Sequence, residues 1–571
     1  MRALIVVAAL VVLAGIAELL RSRRSRLETL RRSWGKPIAR ERRLEAMAAS
    51  HTARCTALAT PPLDDRTWTD LDLDDVFVPI DRTTSTLGQH ALYHRLRTAH
   101  AGVDLAEFEA LVQRMRNDAA ARERAQLALS RLQDPHGYDV WWLGAADALD
   151  PRPWYRLFPL LTAAAVIFAV ASPFWHAAVV PLIAMVAINM AVRFTTDGRT
   201  VAIAQSFRQL APLIATAEAL RFLDDSSSAS LTAPLRADVP PLARLKMISR
   251  WVNGNPFMLS FKSTQLALAI ADFVEIVYQY LNIAFLLDAT GVHFGLRDLA
   301  THRHALLRAV AAAGDVDAAI SVASYRESAV LWTTPQFRPP GASAQLTDAW
   351  HPLVADAVPN SILLRPGKGV LVTGSNMSGK STFLRTIGVN AVLAQTIHTC
   401  LAREYAAPVF TVRSCIGRSD DILGGKSYYL AEVEALLSLV EASDAAEPCL
   451  FLLDELFRGT NAVERIAAGE AVLRELLLDA ANRSKRHVAL AATHDSELVE
   501  LLVDTFDAWH FGDALGPDGL VFDHRLRSGP ATTRNAIALL RISGAPESLV
   551  KRATQSADRL DHERAVTLPR R

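Results

Sequence analysis

The sequence has almost no net charge. Its 571 residues include 61 Lys and Arg against 60 Asp and Glu, so the formal charge is +1. This balance excludes a strongly basic field of the kind that draws a protein to nucleic acid. Any affinity for DNA must come from local patches, and composition alone neither identifies nor rules out a DNA-binding protein.

Cysteine is also scarce. The four cysteines are scattered, with no CxxC pair and no histidine at the spacing of a metal-binding motif: Cys55, Cys400, Cys415 and Cys449. This pattern predicts reduced cytosolic thiols and excludes a disulfide framework. The chain is too long for a single hydrophobic core, and about three to four folding units are expected.

Long apolar runs are present, and the first lies within residues 1–20, which are predicted to form one segment. It extends from Ala3 to Leu20 with only Glu18 as an interruption, and four arginines follow it directly: Arg21, Arg23, Arg24 and Arg26. The pattern predicts a transmembrane anchor with residue 21 onward in the cytoplasm. A cleaved signal peptide is the alternative, because residues 15–17 resemble a cleavage site, but the arginines then stand on the wrong flank.

Residues 21–60 are predicted to form a basic juxtamembrane helix. Ten basic residues lie between Arg21 and Arg43, against only Glu28 and Glu41. Contact with anionic lipid headgroups is the expected role, and a DNA-binding arm is the alternative.

Two further apolar runs, Leu157–Ala171 and Phe174–Val192, flank Ser172 and Pro173. They predict a transmembrane hairpin over residues 154–192, since a run must cross about 30 Å of hydrocarbon and the first needs extension to Trp154. A buried pair of core helices is the alternative. Residues 61–150 and 193–344 have helical periodicity and predict the two parts of a helical domain.

The run from Leu266 to Leu287 is apolar enough to suggest another crossing. However, Asp272, Glu275, Gln279 and Asn282 are spaced three, four and three residues apart, which places them on one helical face. The prediction is an amphipathic helix, so that an even number of crossings separates residue 21 from the C-terminal domain.

The pattern changes in residues 345–571, where short β-rich runs alternate with helical segments. The runs at 369–373, 449–453 and 487–491 predict a parallel sheet with crossover helices. Directly after the first run, residues 374–381 satisfy GxxxxGK[ST] and precede a helical run at 382–393. This context is typical of a loop that binds the phosphates of ATP.

The residues assigned to the nucleotide in this motif are Gly374, Ser375, Asn376, Met377, Ser378, Gly379, Lys380, Ser381 and Thr382. The glycines let backbone amides turn toward phosphate oxygens, and the following helix adds its positive end. Lys380 is predicted to reach the β and γ phosphates, and Ser381 to bind Mg²⁺.

The second and third β-rich runs end in further candidates. Asp454 and Glu455 follow the second run, where Asp454 is predicted to hold Mg²⁺ and Glu455 to orient the attacking water. His494 follows the third run and is predicted to sense the γ-phosphate. The alternatives are a solvated acid pair and a structural histidine.

From Gly369 to Leu501 these residues resemble the ATPase of the MutS-like mismatch-repair proteins. Residues 419–432 resemble the signature loop of that family. Residues 454–460 resemble its Walker B motif and the turn after it, with Phe457 in place of the usual glycine. His351-Pro352 and the Pro-Asn pair at 359–360 match its upstream elements. Residues 80–83 and 86–88 resemble the start of its helical core and lever domain.

The resemblance implies an α/β P-loop ATPase domain (ABC-like, with a parallel sheet) joined to an all-α core and lever domain. The apolar runs add N-terminal transmembrane helices to this fold. It also implies a homodimer in which Ser427 reaches the γ-phosphate of the partner subunit. The family's mismatch-reading domain, with its Phe-x-Glu motif, is expected to be absent, because Phe273-Val274-Glu275 falls inside the predicted amphipathic helix.

The resulting expectation is a multi-pass cell-membrane protein with a cytoplasmic ATPase that uses ATP and Mg²⁺. A dimeric clamp would couple turnover to mismatched or branched DNA. The alternatives are a membrane mechanochemical or signalling ATPase without a DNA substrate and, more weakly, an ABC-type transporter, for which an LSGGQ-like element is missing.

Overall fold

The computed structural model divides into two compact units, Met1–Pro62 with Phe77–Ser328 and Leu63–Val76 with Ala329–Arg571. The structure describes residues 17, 20–58, 62–98, 103–132, 134, 138, 140–143, 153–195, 198–223, 228–252, 276–375, 377–416, 428–444, 447–457, 460–477, 486–516, 519–531, 536–542 and 544–567. The predicted anchor over residues 1–20 therefore lies outside the described residues except at Ala17 and Leu20, as do Asn376, Phe273–Glu275 and Ser427.

The described part of the first unit is helical. Its helices are α1 (residues 20–33), α2 (Leu44–Leu58), α5 (Thr86–Leu96), α6 (Val103–Asn117), α7 (Ala119–Leu129), α8 (Val140–Leu143), α9 (Leu157–Ala171), α10 (Val179–Thr195), α11 (Gly198–Ala219), α12 (Ala229–Ala237), α13 (Ala243–Val252), α14 (Ile276–Phe285) and α15 (Leu287–Ser328). Helix α4 (Leu73–Ile80) is divided between the two units. The 42-residue α15 is the centre of the helical unit, and α5, α6, α11 and α13 pack along it.

Residues 80–88 join the start of α5 to α15 through buried polar contacts. Asp317 on α15 accepts hydrogen bonds from the backbone N–H groups of Thr84 and Ser85, at 2.8 and 2.7 Å. Gly88 allows this approach, because a Cβ there would lie 2.2 Å from an Asp317 carboxylate oxygen. The segment that resembles the family's helical core is thus the one that holds α5 against α15.

Helices α2 and α5 bring His51 and Cys55 next to His94. The prediction that no histidine accompanies a cysteine at ligand spacing is wrong, since His51 precedes Cys55 by four residues. That spacing places both side chains on one face of α2. Among the described residues, all four cysteines are free thiols, as predicted.

Helices α9 and α10 form the predicted hairpin. The stretches Pro153–Ala171 and His176–Thr195 are long and apolar enough to cross a membrane, by length and composition alone. Only 17% and 11% of their most apolar windows are buried. Among the described residues, these windows are therefore mostly exposed and do not form a buried pair of core helices.

Helix α14 differs from the predicted amphipathic helix. Asp272 and Glu275 lie outside the described residues, and Gln279 is exposed as expected. Asn282, however, is buried, and its Oδ1 accepts the backbone N–H of Asp288 at 2.8 Å. Apolar side chains such as Ile276 and Tyr280 are exposed instead, so the predicted solvent-facing polar stripe fails at Asn282.

The second unit contains two sheets. Its strands are β1 (Gln336–Phe337), β2 (Ala344–Ala349), β3 (Asn360–Leu364), β4 (Gly369–Thr373), β5 (Glu404–Ala407), β6 (Thr411–Cys415), β7 (Cys449–Asp454), β8 (Val488–Ala492), β9 (Phe506–Gly516) and β10 (Gly519–Ser528). The larger sheet has the order β10-β9-β4-β8-β7-β6 and the smaller one β1-β5-β2-β3. Strands β9, β4, β8, β7 and β6 are parallel, as predicted, and β10 pairs antiparallel with β9.

The helices of this unit are α3 (Asp65–Asp70), α16 (Lys380–Ile397), α17 (Tyr428–Ser443), α18 (Ala462–Glu475), α19 (Ser496–Leu501), α20 (Ala536–Ile542) and α21 (Glu547–Thr567). Strands β4, β7 and β8 match the three predicted β-rich runs to within one residue at each end. They are short and apolar except for the last residues of β4 and β7, Thr373 and Asp454, and every residue but Asp454 is buried, which makes their sequence signal strong.

Helix α3 belongs to this unit although its residues were assigned to the first part of the helical domain. Leu71 after α3 packs so closely on α16 that a Cβ on Gly388 would lie 2.7 Å from its side chain. Asp70 accepts hydrogen bonds from Ser414 Oγ and Ile416 N, at 2.8 and 2.9 Å. These partners are more than 340 residues away in sequence, so no local pattern predicts the placement.

Candidate functional site

The candidate site begins at the carboxyl end of β4, which lies between β8 and β9 in the larger sheet. A loop leaves β4 at Gly374, and α16 starts at Lys380. Gly374 and Gly379 adopt φ values of 143° and 114°, which only glycine adopts without strain. A Cβ on Gly374 would also lie 2.9 Å from the carbonyl oxygen of Phe511. Both glycines are therefore needed for this loop conformation.

Lys380 is buried at the start of α16. Its Nζ donates to the carbonyl oxygens of Gly374 and Ser375, at 2.9 and 3.0 Å, and so holds the ammonium group over the loop. The Ser375 and Ser378 hydroxyls are buried without a hydrogen-bond partner in the part of the chain that the structure describes. Such groups are open to a hydrogen bond from a ligand or an ordered water molecule, and here they lie in the loop that the sequence assigns to the phosphates.

Ser381 and Asp454 meet between β4 and β7. Ser381 Oγ donates to Asp454 Oδ2 at 2.5 Å, and Asp454 Oδ1 is buried with no partner among the described residues. A hydroxyl and a carboxylate oxygen are the hard ligands that Mg²⁺ takes together with water and phosphate. The residues present therefore fit the predicted metal.

Glu455 and His494 lie beside this pair. Glu455 is 8% exposed, and its N–H donates to Ala492 O of β8 at 2.9 Å. Its φ of 50° is in the left-handed region, where a non-glycine residue costs about 1 kcal/mol or more. His494 Nδ1 is 3.5 Å from Glu455 Oε1, with half of the imidazole exposed. The structure thus brings Lys380, Ser381, Asp454, Glu455 and His494 to one edge of the sheet.

Some predicted residues contribute differently or lie outside the described part. Met377 is 85% exposed at φ 70°, and Thr382 is exposed on the first turn of α16. Asn376 and Ser427 fall among the residues that the structure leaves undescribed, so their roles stay predictions.

The two upstream elements make local contacts in the second unit. Burial, with a smaller effect of Arg385, lowers the pKa of His351 to about 4, so the imidazole is neutral near pH 7. Its Nδ1 accepts the N–H of Leu353 at 3.3 Å and closes a turn. Asn360 joins β3 to β10, because its amide donates to His524 O at 2.9 Å and accepts from Leu526 N at 2.7 Å.

Three further residues support the site without having been assigned a role from the sequence. Glu432 Oε1 accepts the N–H of Phe457 at 2.6 Å. Phe457 is buried at φ 56°, at the position where the resemblance expects glycine. His524 Nδ1 lies 3.0 Å from Ser378 O, next to the loop. In the sequence, Glu432 ends the segment that resembles the family's signature loop and Phe457 stands in place of its usual glycine, whereas His524 belongs to no motif.

Comparison with known proteins matches residues 370–561 to the family model described as MutS domain V. The chain is similar to DNA mismatch repair protein MutS 2 of Halobacterium salinarum, with 35% identity over 279 residues, which cover 47% of this chain and 30% of the relative. It is also similar to DNA mismatch repair protein MutS of Thermus thermophilus, with 34% identity over 269 residues, covering 46% and 31%. A third similar protein is DNA mismatch repair protein MutS of Natronomonas pharaonis, with 35% identity over 213 residues, covering 36% and 24%.

The match therefore spans about 30% of the length of the first of these relatives, and residues 370–561, which match the family model, lie in the unit that carries the candidate site. A MutS domain V is an ATPase-type α/β domain, in agreement with the sheet and loop described above. Through this domain, the C-terminal half of the chain belongs to the MutS family.

Proposed function

We propose that this protein binds ATP with Mg²⁺ and hydrolyses it at the carboxyl edge of the larger sheet, and that a dimer couples turnover to mismatched or branched DNA. The observation that carries the ATPase part is the convergence of Lys380, Ser381, Asp454 and Glu455 with buried oxygen atoms that lack partners. The DNA part rests on the names of the relatives, which are DNA mismatch repair proteins.

The residues divide the work in the following way. Mg²⁺, when bound through Ser381 and Asp454, supplies positive charge to the phosphates. Lys380 exchanges its two loop carbonyls for phosphate oxygens, and the Ser375 and Ser378 hydroxyls gain partners. Glu455 orients the attacking water and accepts its proton, and His494 lies close enough to hold the Glu455 carboxylate in place.

The ATPase part is tested with purified full-length protein in detergent. Lys380→Ala is expected to lose ATP binding, and Glu455→Gln to bind ATP but hydrolyse it about 10²–10⁴-fold more slowly. Lys368→Ala is the matched control, because this lysine lies before β4 at the opposite end of the strand and donates to Asp504 O. Normal hydrolysis by Glu455→Gln would remove Glu455 from the mechanism.

The DNA part is tested by the ATPase rate with linear, mismatched and branched duplexes at low and moderate salt. Stimulation or inhibition that weakens with salt is expected, since phosphate contacts release counterions. A rate unaffected by every DNA would refute this part and leave the ATPase part unchanged. A homodimer with Ser427 at the partner's nucleotide further predicts that Ser427→Ala slows turnover in mixed dimers.

We also propose that the α9–α10 hairpin lies in the cell membrane, with the ATPase unit in the cytoplasm. The support is a reversed polarity: outward side chains are apolar, whereas polar side chains lie between the helices. Thr162 Oγ1 donates to Phe285 O and Asn189 Nδ2 to Ala284 O, both at 2.6 Å. These donors satisfy carbonyl groups at the end of α14, which a lipid environment requires of the protein itself.

Arginine substitutions on α10 distinguish whether its exposed apolar side chains lie in lipid or in water. Val180 and Ile183 on α10 are 73% and 64% exposed. In a bilayer each arginine would cost about 2.5–3.5 kcal/mol near the centre of a helix, so Ile183→Arg should reduce the protein recovered in membranes. In water the same change would leave the protein folded and soluble, and that outcome would contradict the proposal.

Orientation is tested with Ser172→Cys in the turn between α9 and α10. An impermeant maleimide should label it from outside intact cells, while Ser548→Cys on exposed α21 should be labelled only after lysis. Labelling of Ser548→Cys in intact cells would overturn the cytoplasmic location.

A further inference from the structure

A cluster of nitrogen and sulfur ligands lies in the helical unit, among residues that have no role in the proposed function. His51 and Cys55 are on α2 and His94 is on α5. The ligand atoms of the three side chains all lie within 4.8 Å of one another. His51 and His94 are each 4% exposed, and Cys55 is partly buried, so the protein holds two buried imidazoles beside a thiol that solvent can reach.

The distances are close to those of a tetrahedral zinc site. Bond lengths of about 2.0–2.1 Å for nitrogen and about 2.3 Å for sulfur require N···N near ~3.3 Å and N···S near ~3.6 Å. Here His51 Nδ1 is 2.9 Å from His94 Nδ1. Cys55 Sγ is 3.8 Å from His51 Nδ1 and 3.6 Å from its Nε2. The Cys55 Sγ and the nearest His94 nitrogen lie within 4.8 Å of each other, so this pair is the one that would have to move closest to reach the metal geometry.

The charges around the cluster are mixed. Burial raises the pKa of the Cys55 thiol, and the positive charges of Arg54 and Arg97 act in the opposite direction, toward the thiolate that binds metal. The same positive charges repel a divalent cation and so weaken its binding. Asp315 offsets part of their field, since its carboxylate lies 3.9 Å from Arg54.

We propose that His51, Cys55 and His94 bind one Zn²⁺ ion per chain, with water in the fourth position. Two imidazoles and one thiolate match the ligand preference of zinc. Such an ion would join α2 to α5 and close a segment of 43 residues. Its role would be to fix the segment that follows the basic α1 onto the helical core.

Cobalt reports on this site, because a Co²⁺–thiolate bond gives a charge-transfer absorption that oxygen ligands do not. Full-length protein, stripped with a chelator and kept free of nucleotide, is titrated with Co²⁺ and then with Zn²⁺. We expect one equivalent of Co²⁺ to produce the band and Zn²⁺ to remove it. Cys55→Ser should abolish the band, and His94→Ala should weaken or abolish it.

Two control variants should keep the band. Cys449→Ser removes another buried thiol, in β7. His90→Ala removes a buried histidine one turn before His94 on the same helix. Persistence of the band in Cys55→Ser, or its absence from the wild type, would show that the cluster is only a hydrogen-bonded histidine pair with a nearby thiol.

A measurement on the unchanged chain covers the case in which a variant fails to fold. Zn²⁺ should slow the alkylation of Cys55, whereas Mg²⁺ should not. The alkylation rate is measured by mass spectrometry of the peptide that contains Cys55. Zn²⁺ should also raise the unfolding temperature. Equal alkylation rates with both metals would overturn the proposal, and the outcome is independent of ATP turnover.

Discussion

Two carboxylates, Asp81 in the helical unit and Asp454 in the unit that carries the proposed ATPase site (the ATPase unit), have different surroundings. In the helical unit, Asp81 is fully buried and accepts hydrogen bonds from Arg42 Nε at 2.9 Å and Gln89 Nε2 at 2.8 Å, with Arg40 beside them. In the ATPase unit, Asp454 keeps a buried oxygen without a partner in the described part of the chain. A buried carboxylate whose oxygens all accept hydrogen bonds maintains structure, whereas one with an oxygen left unbonded can bind a ligand.

The strongest test of this comparison removes one carboxylate from each unit. Asp81→Ala leaves two arginines without their partner and should lower the free energy of unfolding by about 3–5 kcal/mol. Asp454→Ala removes one hydrogen bond and should change stability by about 1 kcal/mol, yet abolish ATP turnover. Thermal unfolding without nucleotide and an ATPase assay measure both effects. Equal destabilisation by the two variants would remove the distinction.

Two helical glycines provide a second test, with a smaller effect. A Cβ on Gly88 would lie 2.2 Å from Asp317, whereas one on Gly469 would lie 3.7 Å from Leu498. Gly88→Ala should therefore destabilise the protein by about 1–3 kcal/mol. Gly469→Ala, in the middle of α18, should be neutral or stabilising by about 0.4–1 kcal/mol. Urea unfolding of both variants gives the values, and a neutral Gly88→Ala would show that α5 and α15 separate easily.

A third variant tests whether a fully hydrogen-bonded carboxylate in the ATPase unit, that of Asp70, also supports ATP hydrolysis. Asp70→Ala removes the hydrogen-bond acceptor of Ser414 Oγ and Ile416 N, at the end of β6 and next to the segment that resembles the signature loop. We expect a stability loss of about 1–3 kcal/mol and a reduced ATPase rate. Asp65→Ala, at an exposed position on the same helix, is the control. Unchanged turnover in Asp70→Ala would limit this contact to a structural role.

The last test concerns pH. Burial raises the pKa of Asp317 from 3.8 to about 6, so the folded state retains a proton that the unfolded chain loses above pH 4. The contribution of Asp317 is complete below about pH 4 and is lost as the pH rises toward 6, with a slope of at most about 1.4 kcal/mol per pH unit. Asp317→Asn should flatten this part of the stability curve. Identical slopes in both proteins would contradict the assignment.

The elements predicted from sequence are those specified by short segments. Strands β4, β7 and β8 are buried apolar runs, and the glycines of the 374–379 loop follow from a motif of eight residues. The α9–α10 hairpin is equally local, since two apolar runs and a Ser-Pro pair specify it. Contacts between distant segments were missed, as with α3 and with the cluster at His51.

Phe457 shows why a motif is insufficient. The sequence indicates only that a glycine is replaced, whereas the structure shows a phenylalanine at φ 56°, buried at 6% exposure and with its N–H bound by Glu432. Burial of a large side chain and one short hydrogen bond offset the backbone strain there. Neither stabilising contact is visible in the neighbouring residues.

The sequence by itself therefore determined the family of the C-terminal half, the loop at Lys380 and the apolar hairpin, because each depends on the order and spacing of neighbouring residues. Only the tertiary structure decided that Asp70 supports β6, that Asn282 faces inward and that His94 lies beside His51 and Cys55. Those contacts depend on which faces of distant helices and strands pack together, and that choice is made by burial over the whole unit.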